Sequence, residues 1–181
     1  MRNLLVPLLA ALLGGCFSVV STGYEAATDE RSLATQKADT QAVVSIKKNF
    51  LESSVKGLGG LDVFCRNGVV VLAGVVEPGS QARSEAASIA RRVEGVKGVE
   101  TYFVPNRPSP VNDFAIKQKI NAKLVGDTDL KAGQVDMSVL AGHVVLVGVV
   151  NRREKVDKII AYARSVDGVV AVRTFIQVAA K

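Results

Sequence analysis

From residue 39 onward, apolar positions follow first a helical and then a strand-like pattern, and the whole sequence of patterns occurs twice. Ala42, Ile46 and Phe50 recur at i, i+4 and i+8, the spacing of one helix face. A Gly-containing loop (Gly57-Leu58-Gly59-Gly60) follows, then a strand from about Leu61 to Arg66. Asn67-Gly68 fits a type I′ hairpin turn, which needs positive φ at both positions. Val69 to Val76 is a near-continuous apolar run, as expected of a strand in the middle of a sheet. Ala86, Ile89, Ala90 and Val93 mark a second helix, and the turn at Gly95-Val96 leads into a last strand. The predicted order is αββαβ, a hairpin followed by a helical crossover that sets the last strand parallel to the second.

Shifting the chain by 74 residues lays it on itself. Asp39 meets Asp113, Ile46 meets Ile120, Gly68 meets Gly142, and Val70-Val71-Leu72 meets Val144-Val145-Leu146. One residue is lost in the next loop, after which Ala90, Arg91, Gly95 and Val96 meet Ala163, Arg164, Gly168 and Val169. Ile116/Ile120/Leu124 and Ile159/Ile160/Ala163/Val166 repeat the two helix faces, while Ala141-Gly142 makes a poorer turn than Asn67-Gly68. Asp39, and Asn112 or Asp113, are the expected N-caps. The fold class is therefore α+β: two tandem αββαβ units, each a three-stranded mixed sheet with two helices on one face. The units run over 39–104 and 111–181, separated by a linker at 105–110 stiffened by Pro105, Pro108 and Pro110. A unit of about 66 residues buries only around 60% of its unfolded surface, so the copies are expected to pack on each other.

The beginning of the chain reads as processing information. Arg2 supplies a thin positive region, and Leu4 to Leu13 is an apolar run broken only by Pro7, too short to span a bilayer. It ends in Leu13-Gly14-Gly15-Cys16, which resembles the bacterial lipobox. That resemblance implies a signal peptide at 1–15, cleaved before Cys16, whose thiol then carries diacylglycerol and whose new amino group is acylated. The competing reading is an ordinary secretory signal with a chance Cys. Phe17, rather than Asp, follows the Cys; by resemblance to enterobacterial lipoproteins this implies the outer membrane, with the domains facing the periplasm. Residues 16–38 form the expected tether, which as a flexible coil spans roughly 25 Å; part of it being helical or packed on the domains is the alternative.

Composition narrows the chemistry. Lys and Arg total 23 against 17 acids, a net charge of +6 that favours an anionic partner. One His and two Cys in 181 residues argue against a Cys/His zinc site and against a disulfide framework. Cys65 lies within an apolar strand, the setting of a buried inert thiol. His143 takes the place of Val69 in the first copy and reads as a strand-edge histidine. Neither a Gly-x-Ser-x-Gly nor a Walker-type loop is present, and Gly57–Gly60 leads into a strand rather than a helix N-terminus. No enzyme, cofactor or metal is expected. Gly95-Val96-Lys97-Gly98 matches the GxxG string of KH domains, but it joins a helix to a strand and the second copy lacks it, so no nucleic acid is expected.

The Asp113 to Ile116 helix start, the Gly-x-Val-x-Leu-x-Gly-x-Val strand and the Gly-Val turn together resemble the BON domain. The strand stands as Gly68, Val70, Leu72, Gly74, Val76 and again as Gly142, Val144, Leu146, Gly148, Val150. Two copies behind a lipobox, with Asp29-Glu30-Arg31-Ser32 in the tether, resemble the division- and outer-membrane-linked dual-BON lipoproteins; Ala42 departs from the larger aliphatic residue usual there.

The second copy is the cationic one, with 11 basic and 7 acidic side chains over 111–181. With Ile116, Ile120 and Leu124 inward, Phe114, Gln118, Ala122 and Val125 point outward beside Lys117, Lys119 and Lys123. An outward Phe among lysines suits an interfacial membrane contact. The resemblance implies the same: the first helix of the second domain contacts anionic phospholipid, here through Phe114, Gln118, Lys119, Ala122 and Lys123. The competing expectation is that Phe114 packs against the first copy or under the linker. The function expected is a non-enzymatic envelope lipoprotein that binds anionic phospholipid and supports outer-membrane integrity. The alternative is an adaptor for envelope proteins of the assembly or division machinery.

Overall fold

A computed structural model describes residues 29–106 and 112–179. Its first helix, α1, spans Leu33–Glu52 and is capped by Ser32, whose hydroxyl accepts the Thr35 N–H at 3.1 Å. The helix thus begins before the expected boundary at 39: residues 33–38, assigned to the tether, are helical. Asp39 is not the N-cap but lies in the second turn. None of residues 33–38 is buried, and they lack the apolar repeat that marks the rest, so periodicity alone places the start too late.

A 3₁₀ turn at Leu58–Gly60 leads into β1 (Asp62–Arg66), β2 (Val69–Val75), α2 (Gln81–Arg91) and β3 (Gly98–Val104). The second copy repeats this as α3 (Asp113–Val125), a 3₁₀ turn at Ala132–Gln134, β4 (Val135–Leu140), β5 (His143–Val150), α4 (Arg153–Arg164) and β6 (Ala171–Val178). Each sheet has its hairpin antiparallel and its crossover strand parallel, with the central strand in the middle (β1-β2-β3 and β4-β5-β6). The αββαβ order and mixed sheet are those expected. Asn112 resolves the choice of cap on α3, since its Oδ1 accepts the Ala115 N–H at 3.1 Å.

Alternation along the central strands builds three cores. Val70 and Leu72 point toward α1 and α2, where they meet Ile46, Phe50, Ala86 and Ile89. Val144, Leu146 and Val150 point toward α3 and α4, where they meet Ile116, Ile120 and Ile159. The intervening Val71 and Ala73 face Val145 and Val147, forming a third apolar layer flanked by Phe64, Tyr102, Leu140 and Phe175. The sheets therefore pack face to face, and the molecule has four layers in the order helices, sheet, sheet, helices. Polar contacts ring this inner layer: Arg66 with Asp136, Ser138 Oγ donating to Asp62 at 2.6 Å, Asn67 donating to Gln177 at 2.8 Å, and Gln177 Nε2 donating to the Arg66 carbonyl at 3.0 Å.

The second glycine of each strand motif is a packing requirement. A Cβ on Gly148 would lie 2.2 Å from the Gln134 carbonyl oxygen, where backbone blocks it. On Gly74 it would lie 2.4 Å from Leu61 Cδ2, a side chain that can move.

Candidate functional site

Helix α3 owes its rotation about its own axis to three buried residues and one buried-end tether. Ile116, Ile120 and Leu124 enter the second core, and Asp113 reaches back to the hairpin turn, accepting the Ala141 N–H at 2.7 Å and the Gly142 N–H at 2.8 Å. Those two turn residues have φ of 50° and 79°, nearly matching Asn67 and Gly68 at 55° and 79°. Ala141-Gly142 thus adopts the same turn despite its poorer sequence, with the carboxylate supplying the partners its N–H groups need.

With α3 held this way, Phe114, Gln118, Lys119, Ala122 and Lys123 are all exposed, as are Lys117 and Val125. Phe114 and Val125 each retain 69% exposure. Among the described residues nothing covers Phe114, and it does not pack against the first copy. Lys117, Lys119 and Lys123 enter no ion pair among the described residues. The result is a ridge of apolar and small side chains flanked by uncompensated cations. Leaving a large apolar side chain in water forgoes about 1.5–3 kcal/mol of burial, which a partner surface could recover. Cys16 lies outside the described residues, as does most of the linker.

The same carboxylate-to-turn clamp stands in the first copy, in a more buried form. Asp39 accepts the Asn67 and Gly68 N–H groups at 2.9 and 2.8 Å, the Arg31 guanidinium at 2.5 Å and the Cys65 thiol at 3.3 Å. Arg31 also grips Asp29 at 2.5 Å, so the residues ahead of α1 close over the clamp. Burial pushes the Asp39 carboxyl up, but donors from Gly68, Arg31 and Asn67 outweigh it and hold it below the usual carboxylate range. Burial, followed by the Asp39 charge, pushes the Cys65 thiol up to about 12, so it stays protonated and inert. Sequence reading missed this role for Asp39. The available signal was the offset of 28 residues from each Asp to the first turn residue, identical in both copies.

The other candidates have structural partners. His143 Nδ1 lies 2.7 Å from the Tyr102 hydroxyl, a contact between the two copies. Leu58 of the Gly-rich loop is buried in the first core. A cleft of ≈ 750 Å³ beside α1 is lined by Ala38, Ala42, Ser45, Arg92 and Glu94 among others, with no His or Cys in its walls. Among the described residues no group of three or more His, Cys, Asp or Glu could hold a metal ion, and no helix is long and apolar enough to cross a membrane.

Over 92% of its length the chain is 28% identical to osmotically-inducible protein Y of Escherichia coli (strain K12), covering 92% of that protein. Among solved structures it is similar to the C-terminal domain of CdsD, a structural protein of the type III secretion system of Chlamydia trachomatis, at 18% identity and a TM-score of 0.33, covering 77% of this chain and 67% of that one. A second structure of CdsD matches at 18% identity and a TM-score of 0.31, over 77% and 63% of the two chains. The model of the BON domain matches residues 38–104 and again 112–180. With both halves of its repeat matched, the chain belongs to the BON-domain family and carries two copies of the domain.

Proposed function

We propose that this protein is a non-enzymatic lipoprotein of the bacterial outer membrane, acylated at Cys16 and facing the periplasm, whose second BON domain binds anionic phospholipid and supports membrane integrity. The observation that carries the reading is the exposed strip of Phe114, Gln118, Ala122 and Val125, with Lys117 on one flank and Lys119 and Lys123 on the other, on a helix whose phase the core fixes. Each lysine near an anionic leaflet is worth about 1 kcal/mol, and burying a Phe about 1.5–3 kcal/mol. Three lysines and one Phe thus give roughly 4–6 kcal/mol, a dissociation constant in the millimolar to sub-millimolar range. That is weak for a free protein but sufficient for a tethered one, whose effective concentration at the surface is of millimolar order. The ridge would then select among lipids already within reach, while the acyl chains supply attachment.

The test is flotation of the unacylated chain from Phe17 to Lys181, which keeps every described residue, with phosphatidylcholine vesicles and with vesicles containing phosphatidylglycerol. Binding is expected only to the anionic vesicles. Going from 0.1 to 1 M salt, which shortens the screening length from about 10 to about 3 Å, is expected to weaken it strongly. Replacing Phe114→Ser, Lys119→Glu and Lys123→Glu together is expected to reduce binding at least tenfold. Unchanged binding in that variant would refute the site. A chain that ignores anionic vesicles yet binds a purified envelope protein would favour the adaptor reading.

A further inference from the structure

The outer layer opposite α3 carries a second exposed apolar line. On α1, Leu33, Val44 and Leu51 are 69%, 62% and 80% exposed. At 100° per residue they fall within about 20° of one another, along about 27 Å of helix. The core does not need them, because α1 buries Asp39, Ala42, Ile46 and Phe50 on its other side. Exposed Lys37, Lys47 and Lys48 flank the line, and Glu52, paired with Lys48 at 3.7 Å, is the only exposed acid on the helix. Two of its three positions, Leu33 and Val44, have no apolar counterpart in the second copy. The 74-residue shift pairs Val44 with Gln118 and Leu51 with Val125, whereas Leu33 lies in the part of α1 that α3 lacks.

We propose that this line is a second anionic-lipid contact, which lets the protein hold two anionic surfaces at once. Two observations select a lipid surface as the occupant, and the acylation of Cys16 proposed above would bring one within reach. The outward side of α1 is cationic, so it complements anionic headgroups, whereas a second copy would set Lys37, Lys47 and Lys48 against like charges. A strip about 27 Å long and one helix wide offers about 300 Å², well short of the roughly 800 Å² per partner of a stable protein interface. The described chain begins at Asp29, four residues before Leu33, and only residues 17–28 separate it from Cys16. Twelve residues reach at most about 43 Å, so a bilayer holding an acylated Cys16 lies within range of the start of α1.

The four-layer order makes the two contacts back to back. With sheets about 10 Å apart and helices lying outside them, α1 and α3 are about 30 Å apart across the molecule. A flat bilayer meets one of these faces at a time, and the other is free for a second surface. This bridging rests on the α3 reading for one of its two surfaces; the α1 contact stands or falls separately.

The experiment uses the Phe17–Lys181 chain and phosphatidylglycerol-containing vesicles, scoring binding by flotation and vesicle clustering by light scattering. The α1 variant combines Leu33→Ser, Val44→Ser and Leu51→Ser. The α3 variant combines Phe114→Ser, Lys119→Glu and Lys123→Glu. All six positions are exposed, and an unchanged urea midpoint confirms that both variants are folded. Wild type is expected to float and to cluster vesicles. The α1 variant is expected to float with clustering lost, the α3 variant to float at least tenfold more weakly with clustering lost, and the combined variant to do neither. Flotation without clustering by wild type, or full clustering by the α1 variant, would overturn the proposal. An α3 variant that no longer floats would overturn the α1 contact while leaving the α3 reading intact. An α1 variant that no longer floats, beside an α3 variant that does, would support the α1 contact and remove the α3 site. Sedimentation without lipid closes the remaining route: wild type is expected to be a monomer, and a dimer lost in the α1 variant would show that a second copy covers the line.

Discussion

Replacing Asp39→Ala removes a carboxylate that accepts four donors at once, from Asn67 N–H, Gly68 N–H, Arg31 and the Cys65 thiol. The turn's N–H groups are the costly ones to abandon, since a buried donor left unpaired costs about 1–3 kcal/mol. Arg31 keeps Asp29 and softens its own loss. Allowing for partial access of water to the turn, the substitution should cost about 3–4 kcal/mol. Asp113→Ala removes the equivalent two bonds at Ala141 and Gly142, but Asp113 is half-buried and pairs with no arginine among the described residues, so about 1–2 kcal/mol is expected. In a chain of this size 1 kcal/mol moves Tm by about 2–4 °C, which separates the two variants clearly.

The assay is urea unfolding, with midpoint shifts read at an unchanged slope. Because the folded Asp39 pKa lies below its unfolded value of about 3.9, its stabilisation is complete above that value and fades as pH falls through the folded pKa. The gap between wild type and Asp39→Ala should therefore hold from pH 6 to about pH 4 and narrow below it. A cost for Asp39→Ala below about 1 kcal/mol, or no larger than that of Asp113→Ala, would refute the clamp.

Two other consequences are checked more simply. Gly148→Ala should destabilise by about 3 kcal/mol or more, because its Cβ meets the Gln134 backbone, whereas Gly74→Ala should cost about 1–2 kcal/mol as Leu61 shifts; urea midpoints of the two variants test the order. Cys65, buried and with its thiol pushed up to about 12, should react with a thiol reagent at pH 8 at least a hundredfold more slowly than in urea, and fast labelling of the folded chain would contradict its burial.

The parts legible in the sequence are those where a repeated spacing has one physical meaning. Ile116, Ile120 and Leu124 can share a core only if α3 turns Phe114 and Val125 outward, so the ridge follows from three residues. The apolar runs of β2 and β5 imply cover on both faces, and the structure supplies it by stacking the two sheets through Val71, Ala73, Val145 and Val147. What pattern reading missed depends on contacts remote in sequence. Asp39 resembles a helix cap because an acidic residue precedes an apolar period, and nothing local reveals that its partners are 28 and 29 residues away. The start of α1 was hidden for a related reason: Leu33 to Ala38 makes few core contacts, and its helix is set by Ser32 and by continuity with the turns that follow. Nor does the sequence announce the line along α1, which appears only once those extra turns bring Leu33 into phase with Val44 and Leu51.

The central claim is that Phe114 enters an anionic leaflet, and the absence of tryptophan from the chain allows it to be observed at that residue. In a Phe114→Trp variant the indole would be the sole tryptophan, exposed to water in the free protein. Adding phosphatidylglycerol vesicles should shift its emission to the blue and expose it to quenching by brominated acyl chains, while phosphatidylcholine vesicles should leave it unchanged. Emission that stays at its water-exposed wavelength, unquenched, while the protein floats with anionic vesicles would contradict the account.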